Sequence, residues 1–391
     1  LGTASKQSLL RKVRGNSAAT NRINATDVLI IDECSMLSAD LLEIFDGVAR
    51  AIRKDGAFKD QPFGGMQVVA FGDFFQLPPV YRNDGSRDRR WRPFCFDSPV
   101  WSDAGLSQNI VELKDVQRQE NEDFVHLLNK VRTGRVQHQD ISELNQKCLV
   151  GPANPLPNDG ILPTRLYVLN KDVDSENVAR LEELKGKMHV FPARDVWRQA
   201  MPVGTPASVK KKMKDSLSME MPDEVRLKVG AQVMLTRNKD LDKNLVNGSR
   251  GVVERIEVQP ETGNTVPIVR FDSGIVTTVD PVESLRHNTD TTTGGADGQE
   301  QPRGCLARFQ IPLKLAWAIT IHKSQGSTLT RASLDISSAF EYGQCYVALS
   351  RVKSLEGLWL ERPADLRNVM VSPQVLDFFG APPPPSSRME Y

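Results

Sequence analysis

The chain has 391 residues, 39% hydrophobic and 25% charged, with a formal net charge of +1; it can bury cores in two or three domains without disulfide or metal staples. That balance excludes a uniformly basic nucleic-acid binder, so such a partner must be held by local patches. Five scattered cysteines (Cys34, Cys95, Cys148, Cys305, Cys345) form no C-x-x-C pair, which argues against a disulfide framework or zinc site and suits a reducing compartment, and no apolar run is long enough to span a membrane.

The basic patches are Lys6, Arg11, Lys12 and Arg14; Arg87, Arg89, Arg90 and Arg92; and Lys210, Lys211, Lys212 and Lys214. Each, taken singly, reads as a solvated face. Residues 28–31 (VLII) and 68–71 (VVAF) are short apolar runs ending in Asp32-Glu33 and Gly72-Asp73, the pattern of buried parallel strands. Between them, 38–53 has apolar residues at helical spacing, with Ser38 as N-cap, so 28–71 predicts a βαβ unit of an α/β fold. Residues 122–149 read as a further helical region with Phe124, Leu127, Leu128 and Val131 on one face.

A proline-rich break at 151–163 reads as a domain boundary. A strand at 165–169 and a helix at 171–184 reopen the α/β pattern. Residues 227–258 and 267–279 then alternate in short β-type runs around an Asn247-Gly248 turn, which predicts a small β-barrel-like insertion. Residues 287–303 read as a polar mobile loop, 305–360 as α/β again, and the tail from 380 as disordered or polyproline-like.

Two sites carry chemistry. A strand ending in Asp32-Glu33 puts carboxylates at the carboxyl edge of a parallel sheet, where α/β proteins bind ligands. There Asp32 would hold Mg²⁺, and Glu33 would orient or deprotonate the water that attacks a γ-phosphate. A lone Asp-Glu pair is more often a surface turn. The second site, GGMQVVAFGDFFQLPPV at 64–80, shifts that balance: Gln76 after a Gly-Asp turn can sense a γ-phosphate or its attacking water. Phe74 and Phe75 read as packing residues.

The combination of Asp-Glu-x-Ser-Met, a helix, Pro-Phe-Gly-Gly-x-Gln and Gly-Asp-Phe-Phe-Gln-Leu-Pro-Pro-Val resembles the Pif1 helicases of superfamily 1. The segment from Ser35 to Gly65 looks like that family's signature element. Residues 116–120 (VQRQE) resemble its Arg-Gln step, 228–251 the start of its SH3-like insertion, 321–329 (IHKSQGSTL) its motif V and 346–352 (YVALSRV) its motif VI. The resemblance runs from Asp27 to Leu360.

It implies two RecA-like parallel-sheet domains with ATP and Mg²⁺ in the cleft between them. The expected division is 1–155 (first domain, N-terminally truncated), 156–226 and 299–379 (second domain), 227–298 (SH3-like β-barrel insertion) and 380–391 (tail). Asp32, Glu33 and Gln76 would line the nucleotide on one side. Arg351 would reach across as an arginine finger, since a guanidinium fits phosphate oxygens bidentately, and Arg118 is a second candidate. Gln325 and Gly326 would couple nucleotide to DNA. His322, Lys323 and Ser324 are DNA contacts of motif V, where backbone contacts carry position rather than sequence. Asn247, Gly248 and Ser249 form a turn whose exposed amides would meet a phosphate. Trp317 is either a stacking aromatic or core. The resemblance further implies 5′→3′ translocation on single-stranded DNA and action on forked duplexes, RNA–DNA hybrids and G-quadruplexes, by a monomer in the nucleus or mitochondrion. Repair, recombination, telomere maintenance and mitochondrial genome maintenance are the processes it suggests.

One part of the pattern is missing. No G-x-x-x-x-G-K-[ST] occurs, and that loop supplies backbone amides, a lysine and a hydroxyl to the phosphates and metal. The chain starts at Leu1, so the expectation is a fragment or incomplete gene product rather than natural loss, binding ATP poorly and not unwinding DNA by itself. Competing readings are the helicase domain of a Helitron-type transposase, which an upstream nuclease domain would indicate, and a RecD-like relative, which the Ser35–Gly65 element disfavours. A degenerate module that binds single strands without hydrolysis is a third, against which Glu33 and Arg351 argue. A signalling ATPase is a fourth, disfavoured by the pairing of IHKSQG with YVALSRV.

Overall fold

The computed structural model describes residues 6–53, 58, 60–80, 93–168, 170–201, 203–260, 263–288 and 304–380. The Arg87–Arg92 patch, most of the 287–303 loop and the tail beyond 380 lie outside them. The chain forms two compact units, the first comprising 1–115, 289–301 and 371–382, the second 116–288, 302–370 and 383–391.

The first unit opens with helices α1 (Lys6–Arg14) and α2 (Ser17–Ala25), then β1 (Val28–Ile31), α3 (Ala39–Ile52), β2 (Gln67–Ala70) and the short α4 (Pro99–Asp103). β1 and β2 pair in parallel, Val28 opposite Gln67 and Ile31 opposite Ala70, so β1-α3-β2 is the expected βαβ unit. Ser38 caps α3 by accepting the Leu41 N–H at 3.3 Å. The buried face of α3 carries Ala39, Leu42 and Ala49 into a core with Phe63, Phe74, Phe75, Phe94 and Trp101. Phe74 meets Phe94, Phe96 and Trp101 edge to face, a packing role.

The Pro62–Gly65 turn is latched onto α3. The buried Asp46 carboxylate accepts the Phe63 N–H at 2.7 Å and the Arg50 Nε–H at 2.8 Å. Arg53 Nε donates to Gly64 O at 2.8 Å, and its Nη1 to the carbonyls of Ile23 and Asn24. The C-terminal half of α3 is therefore tied both to the Pro62–Gly65 turn and to the end of α2. Burial of β1 differs from expectation: Leu29 and Ile31 face the core, but Val28 is 45% and Ile30 65% exposed. No described residue covers that face.

The second unit begins earlier than the break at 151–163 suggests. Residues 122–149 form two helices, α5 (Glu122–Arg132) and α6 (His138–Cys148), separated at Gly134, whose φ of 69° no helix continues. Both belong to the second unit: Val150 N–H donates to Leu360 O at 2.9 Å and Asn145 Nδ2 to Ala364 O at 3.0 Å.

The chain continues through β3 (Thr164–Tyr167), α7 (Asn170–Glu183), β4 (His189–Pro192), β5 (Arg194–Gln199), α8 (Ala207–Glu220), β6 (Glu224–Leu227), β7 (Gln232–Leu235), β8 (Arg250–Val258), β9 (Thr265–Phe271), β10 (Val276–Thr278), β11 (Val282–His287), β12 (Cys305–Gln310), β13 (Leu313–Leu315) and β14 (Ala318–Thr320). Then come α9 (Ile321–Ser324), β15 (Ala332–Leu334), α10 (Gln344–Leu349) and β16 (Leu358–Leu360). β14-β3-β15-β16 is an all-parallel sheet, as the α/β reading requires. The chain then returns to the first unit as α11 (Pro373–Phe378), where Val375 and Leu376 join the core.

The insertion is less contiguous than 227–298. β10-β9-β8-β7-β13 is a five-stranded antiparallel sheet whose last strand follows the 289–303 segment. Among the described residues β10 and β13 do not pair with each other, so they stand at the two ends of this strand order. A separate three-stranded sheet, β11-β12-β5, packs Leu306 against Met213 and Leu217 of α8. Trp317 is buried in the core with Val233, Leu235 and Leu313, which rules out a stacking role for it in this conformation.

Candidate functional site

Asp32 and Glu33 leave the carboxyl end of β1, and Gly72–Gln76 leave the same end of β2. The parallel ladder extends past the strands: Phe71 N–H donates to Ile31 O, and Cys34 N–H to Phe71 O, both at 2.8 Å. Glu33 takes φ 51°, ψ 46°, a left-handed conformation that costs a non-glycine residue about 1–3 kcal/mol. Asp32 Oδ1 holds it by accepting the Glu33 N–H at 2.8 Å. Glycine is required at 72 because a Cβ there would lie 2.8 Å from Cys34 Sγ and 2.9 Å from Cys34 N.

Cys34 is a residue the sequence reading missed. The Cys95 thiol donates to Cys34 O at 3.3 Å. The approach of Cys34 together with burial pushes the Cys95 thiol above its ordinary range. Gln76 N–H donates to Asp73 O at 2.9 Å, while its Oε1 is buried with no hydrogen-bond partner among the described residues.

Asp32 is exposed and Glu33 half-buried. Among the described residues no group of three or more metal-ligating side chains occurs. Adjacent carboxylates alone do not cage an ion, but Mg²⁺ takes one or two carboxylates together with substrate phosphates and water. The donor set therefore fits Mg²⁺ carried in with a nucleotide.

In the second unit, motif V starts where β14 turns into α9. Thr320 Oγ1 accepts the Lys323 N–H at 3.2 Å, capping the turn. Ser324 is fully buried and donates its hydroxyl to Ile321 O at 2.7 Å. It thus serves the turn, and the expected phosphate contact is not presented by it in this conformation. Lys323 is exposed and His322 half-buried; burial lowers the His322 pKa against the opposing charge of Glu341. Gln325 is half-buried, and Gly326 reverses the chain at φ 72°.

Arg351 of motif VI is only 2% exposed. Its Nε donates to Val347 O at 2.8 Å and its Nη2 to Ser350 Oγ at 2.7 Å, while Nη1 lies 3.5 Å from the carbonyls of Ser324 and Ser327. Arg118, half-buried, joins the same cluster through Nε to Thr328 Oγ1 (3.0 Å) and Nη1 to Ser350 O (3.1 Å). The buried Gln119 amide donates to Ser350 O at 3.1 Å and Val352 O at 2.8 Å. Motifs V and VI and the Arg-Gln step are thus one hydrogen-bonded assembly.

The Asn247–Ser249 turn needs correction. Its amides are already used: Asn247 N–H donates to Asn238 Oδ1 (2.8 Å), Gly248 N–H to Leu235 O and Ser249 N–H to Val246 O (both 2.9 Å). The exposed group there is the Asn247 side chain. Beside this turn lies Arg250, its side chain 1% exposed, which the sequence gave no signal to select. It donates to Thr164 Oγ1, to Asp272 Oδ2 at 2.9 Å and to Thr330 Oγ1 at 3.1 Å.

Residues 2–142 match the family model of PIF1-like helicases, and residues 214–256 that of the 2B domain of DNA helicase Pif1. An ATP-dependent DNA helicase PIF1 of Xenopus laevis is 37% identical over 353 residues, covering 90% of this chain and 49% of the frog protein. This chain therefore spans about half the length of the named relatives it matches. The crystal structure of the Candida albicans Pif1 helicase superimposes with a TM-score of 0.70 at 31% identity, over 97% of this chain and 82% of that one. A Bacteroides Pif1 helicase in complex with ADP-AlF3 and ssDNA gives 0.57 at 28% identity, over 93% and 76%. The parallel sheets are those of the RecA-like domains of such structures, and the chain belongs to the PIF1-like helicase family.

Proposed function

We propose that this chain is the motor region of an ATP-dependent DNA helicase that moves 5′→3′ along single-stranded DNA. The observation that carries the reading is the Gln76 Oε1, buried and without a hydrogen-bond partner among the described residues, on the segment that leaves β2 at the same end where β1 leads into the left-handed Glu33. A buried acceptor without a donor is costly unless a ligand completes it.

Asp32 holds Mg²⁺, which when bound neutralises phosphate charge. Glu33 takes the proton of the attacking water, and Gln76 accepts a hydrogen bond from that water. Arg118 and Arg351 supply positive charge to the γ-phosphate. For Arg351 this requires exchanging its weak 3.5 Å carbonyl contacts for charge-assisted bonds to phosphate. Because those carbonyls belong to Ser324 and Ser327, that exchange would be felt in motif V, where Lys323, His322 and the Asn247 side chain face DNA. Gln325 and Gly326 lie between the two. Nucleotide state thereby biases the grip on DNA, a population shift between two arrangements.

The five-stranded sheet takes the part of the SH3-like insertion. Single-stranded DNA, in keeping with the Bacteroides complex with ssDNA, and forked DNA are the substrates; RNA–DNA hybrids and G-quadruplexes extend the set. The enzyme acts as a monomer in nuclear or mitochondrial genome maintenance. The bare face of Val28 and Ile30 suits cover by further strands of the parent protein that bring the phosphate-binding loop. The test is unwinding of a 5′-tailed forked duplex by the full-length gene product with Mg²⁺ and ATP. Unwinding of 3′-tailed forks instead would overturn the polarity, and no unwinding with intact DNA binding would favour the non-hydrolysing module.

A further inference from the structure

α11, the last helix of the described residues, packs within the first unit against the segment that carries Gln76. The Phe378 ring meets Phe74 edge to face at 5.6 Å between centroids and stacks on Phe96 at 4.3 Å. Phe379 stacks on Phe75 at 5.3 Å, the ring planes 18° apart. The two residues immediately before Gln76 therefore rest on two successive aromatics at the end of α11. The backbone there is a tight turn: Phe75 N–H donates to Asp73 Oδ1 at 3.1 Å and Gln76 N–H to Asp73 O at 2.9 Å. A Phe75 that moves takes Gln76 with it.

The same run is held at its other end. Met370 O accepts the N–H of Gly343 at 3.0 Å, and Gly343 caps α10, the helix of motif VI. One residue later, at Val371, the chain enters the first unit, where Val375 and Leu376 are buried in the core. Residues 370–379 are thus fixed to the head of motif VI at one end and to the Gln76 turn at the other. Phe74 has further aromatic partners in Phe94 and Trp101. Phe379 is 41% exposed, so truncating it leaves a surface notch and takes a flat stacking partner from Phe75.

We propose that residues 370–379 are a strap that sets the place of Gln76, with Phe379 as a positioning residue that acts through Phe75. The assignment rests on the reading of Gln76 given above. The Gln76 Oε1 is buried without a hydrogen-bond partner among the described residues. An amide that must meet a water at the γ-phosphate needs its backbone fixed, because a displacement of about 1 Å at a reacting group lowers the rate by about a hundredfold.

The experiment is single-turnover ATP hydrolysis by the full-length gene product with Mg²⁺ and saturating single-stranded DNA. The proteins compared are wild type, Gln76→Ala, Phe379→Ala, Phe379→Tyr and the double variant Gln76→Ala/Phe379→Ala. Phe379→Ala should lower the rate by about tenfold to a hundredfold with ATP affinity unchanged, and Phe379→Tyr, which keeps the ring, should restore it. In the Gln76→Ala background Phe379→Ala should cause no further loss, because a residue that acts through another is not additive with it. Phe379→Leu keeps the apolar cover without the flat ring, and takes the same place in the cycle if the alanine variant does not fold. A wild-type rate in Phe379→Ala, or an equal loss from it in both backgrounds, overturns the strap and leaves the Gln76 reading standing. A wild-type rate in Gln76→Ala overturns both.

Discussion

Arg118 and Arg351 converge on one residue: Nη1 of Arg118 donates to the Ser350 carbonyl at 3.1 Å, and Nη2 of Arg351 to the Ser350 hydroxyl at 2.7 Å. They differ in depth, Arg351 being buried and Arg118 half-buried at the surface. Replacing Arg351 by alanine leaves buried acceptors without donors, so urea denaturation of this chain should show a loss of about 1–3 kcal/mol. Arg118→Ala should stay within about 0.5 kcal/mol of wild type. In the full-length gene product both should cut DNA-stimulated ATP hydrolysis, by about a thousandfold or more if either acts as an arginine finger.

Gly72 is the point where the turns after β1 and β2 touch. In Gly72→Ala the new methyl meets Cys34 Sγ and N below 3.0 Å, and the backbone carrying Glu33 must shift. A misplacement of that kind at a reacting group costs about a hundredfold. The expected outcome is a large fall in kcat for ATP hydrolysis, with single-strand binding by the second unit unchanged.

Arg250 of β8, fully buried, and Asp272 just after β9, partly buried, form an ion pair on the five-stranded sheet. Removing one partner strands the other, so Arg250→Met should destabilise the chain by about 3–5 kcal/mol. Equilibrium unfolding measures it, and a wild-type midpoint would contradict the pairing.

His322 resists protonation in the folded chain because it is half-buried, so its pKa lies below the ordinary 6.5. As pH falls through that value the unfolded chain takes up a proton first, and stability is lost from there downward until the folded imidazole is protonated too. His322→Gln removes this loss. Its stability relative to wild type should be constant above neutrality and should improve as the pH drops below about 6.5.

The local part of this architecture was legible in the sequence. VLII and VVAF could be read as strands, the second within one residue of the observed Gln67–Ala70, and Ser38 as a cap, because both signals sit within a few residues of what they govern. The pairing of β5 with β12, the closing of the five-stranded sheet's edge by β13 and the early start of the second unit depend on partners far along the chain, which periodicity does not encode. At the site, residue types and spacing pointed to Glu33 and Gln76. They said nothing of side-chain depth, so the burial of Ser324 and Arg351 and the spent amides of Asn247–Ser249 emerged only from the packing.

The most direct test of the motor reading is Mg²⁺-dependent ATP hydrolysis by the full-length gene product, with and without single-stranded DNA, compared with Glu33→Gln. Hydrolysis stimulated by the strand and abolished by the substitution, with DNA binding retained, is the expected result. A folded, DNA-binding product that hydrolyses no ATP, or turnover that survives Glu33→Gln, would contradict it.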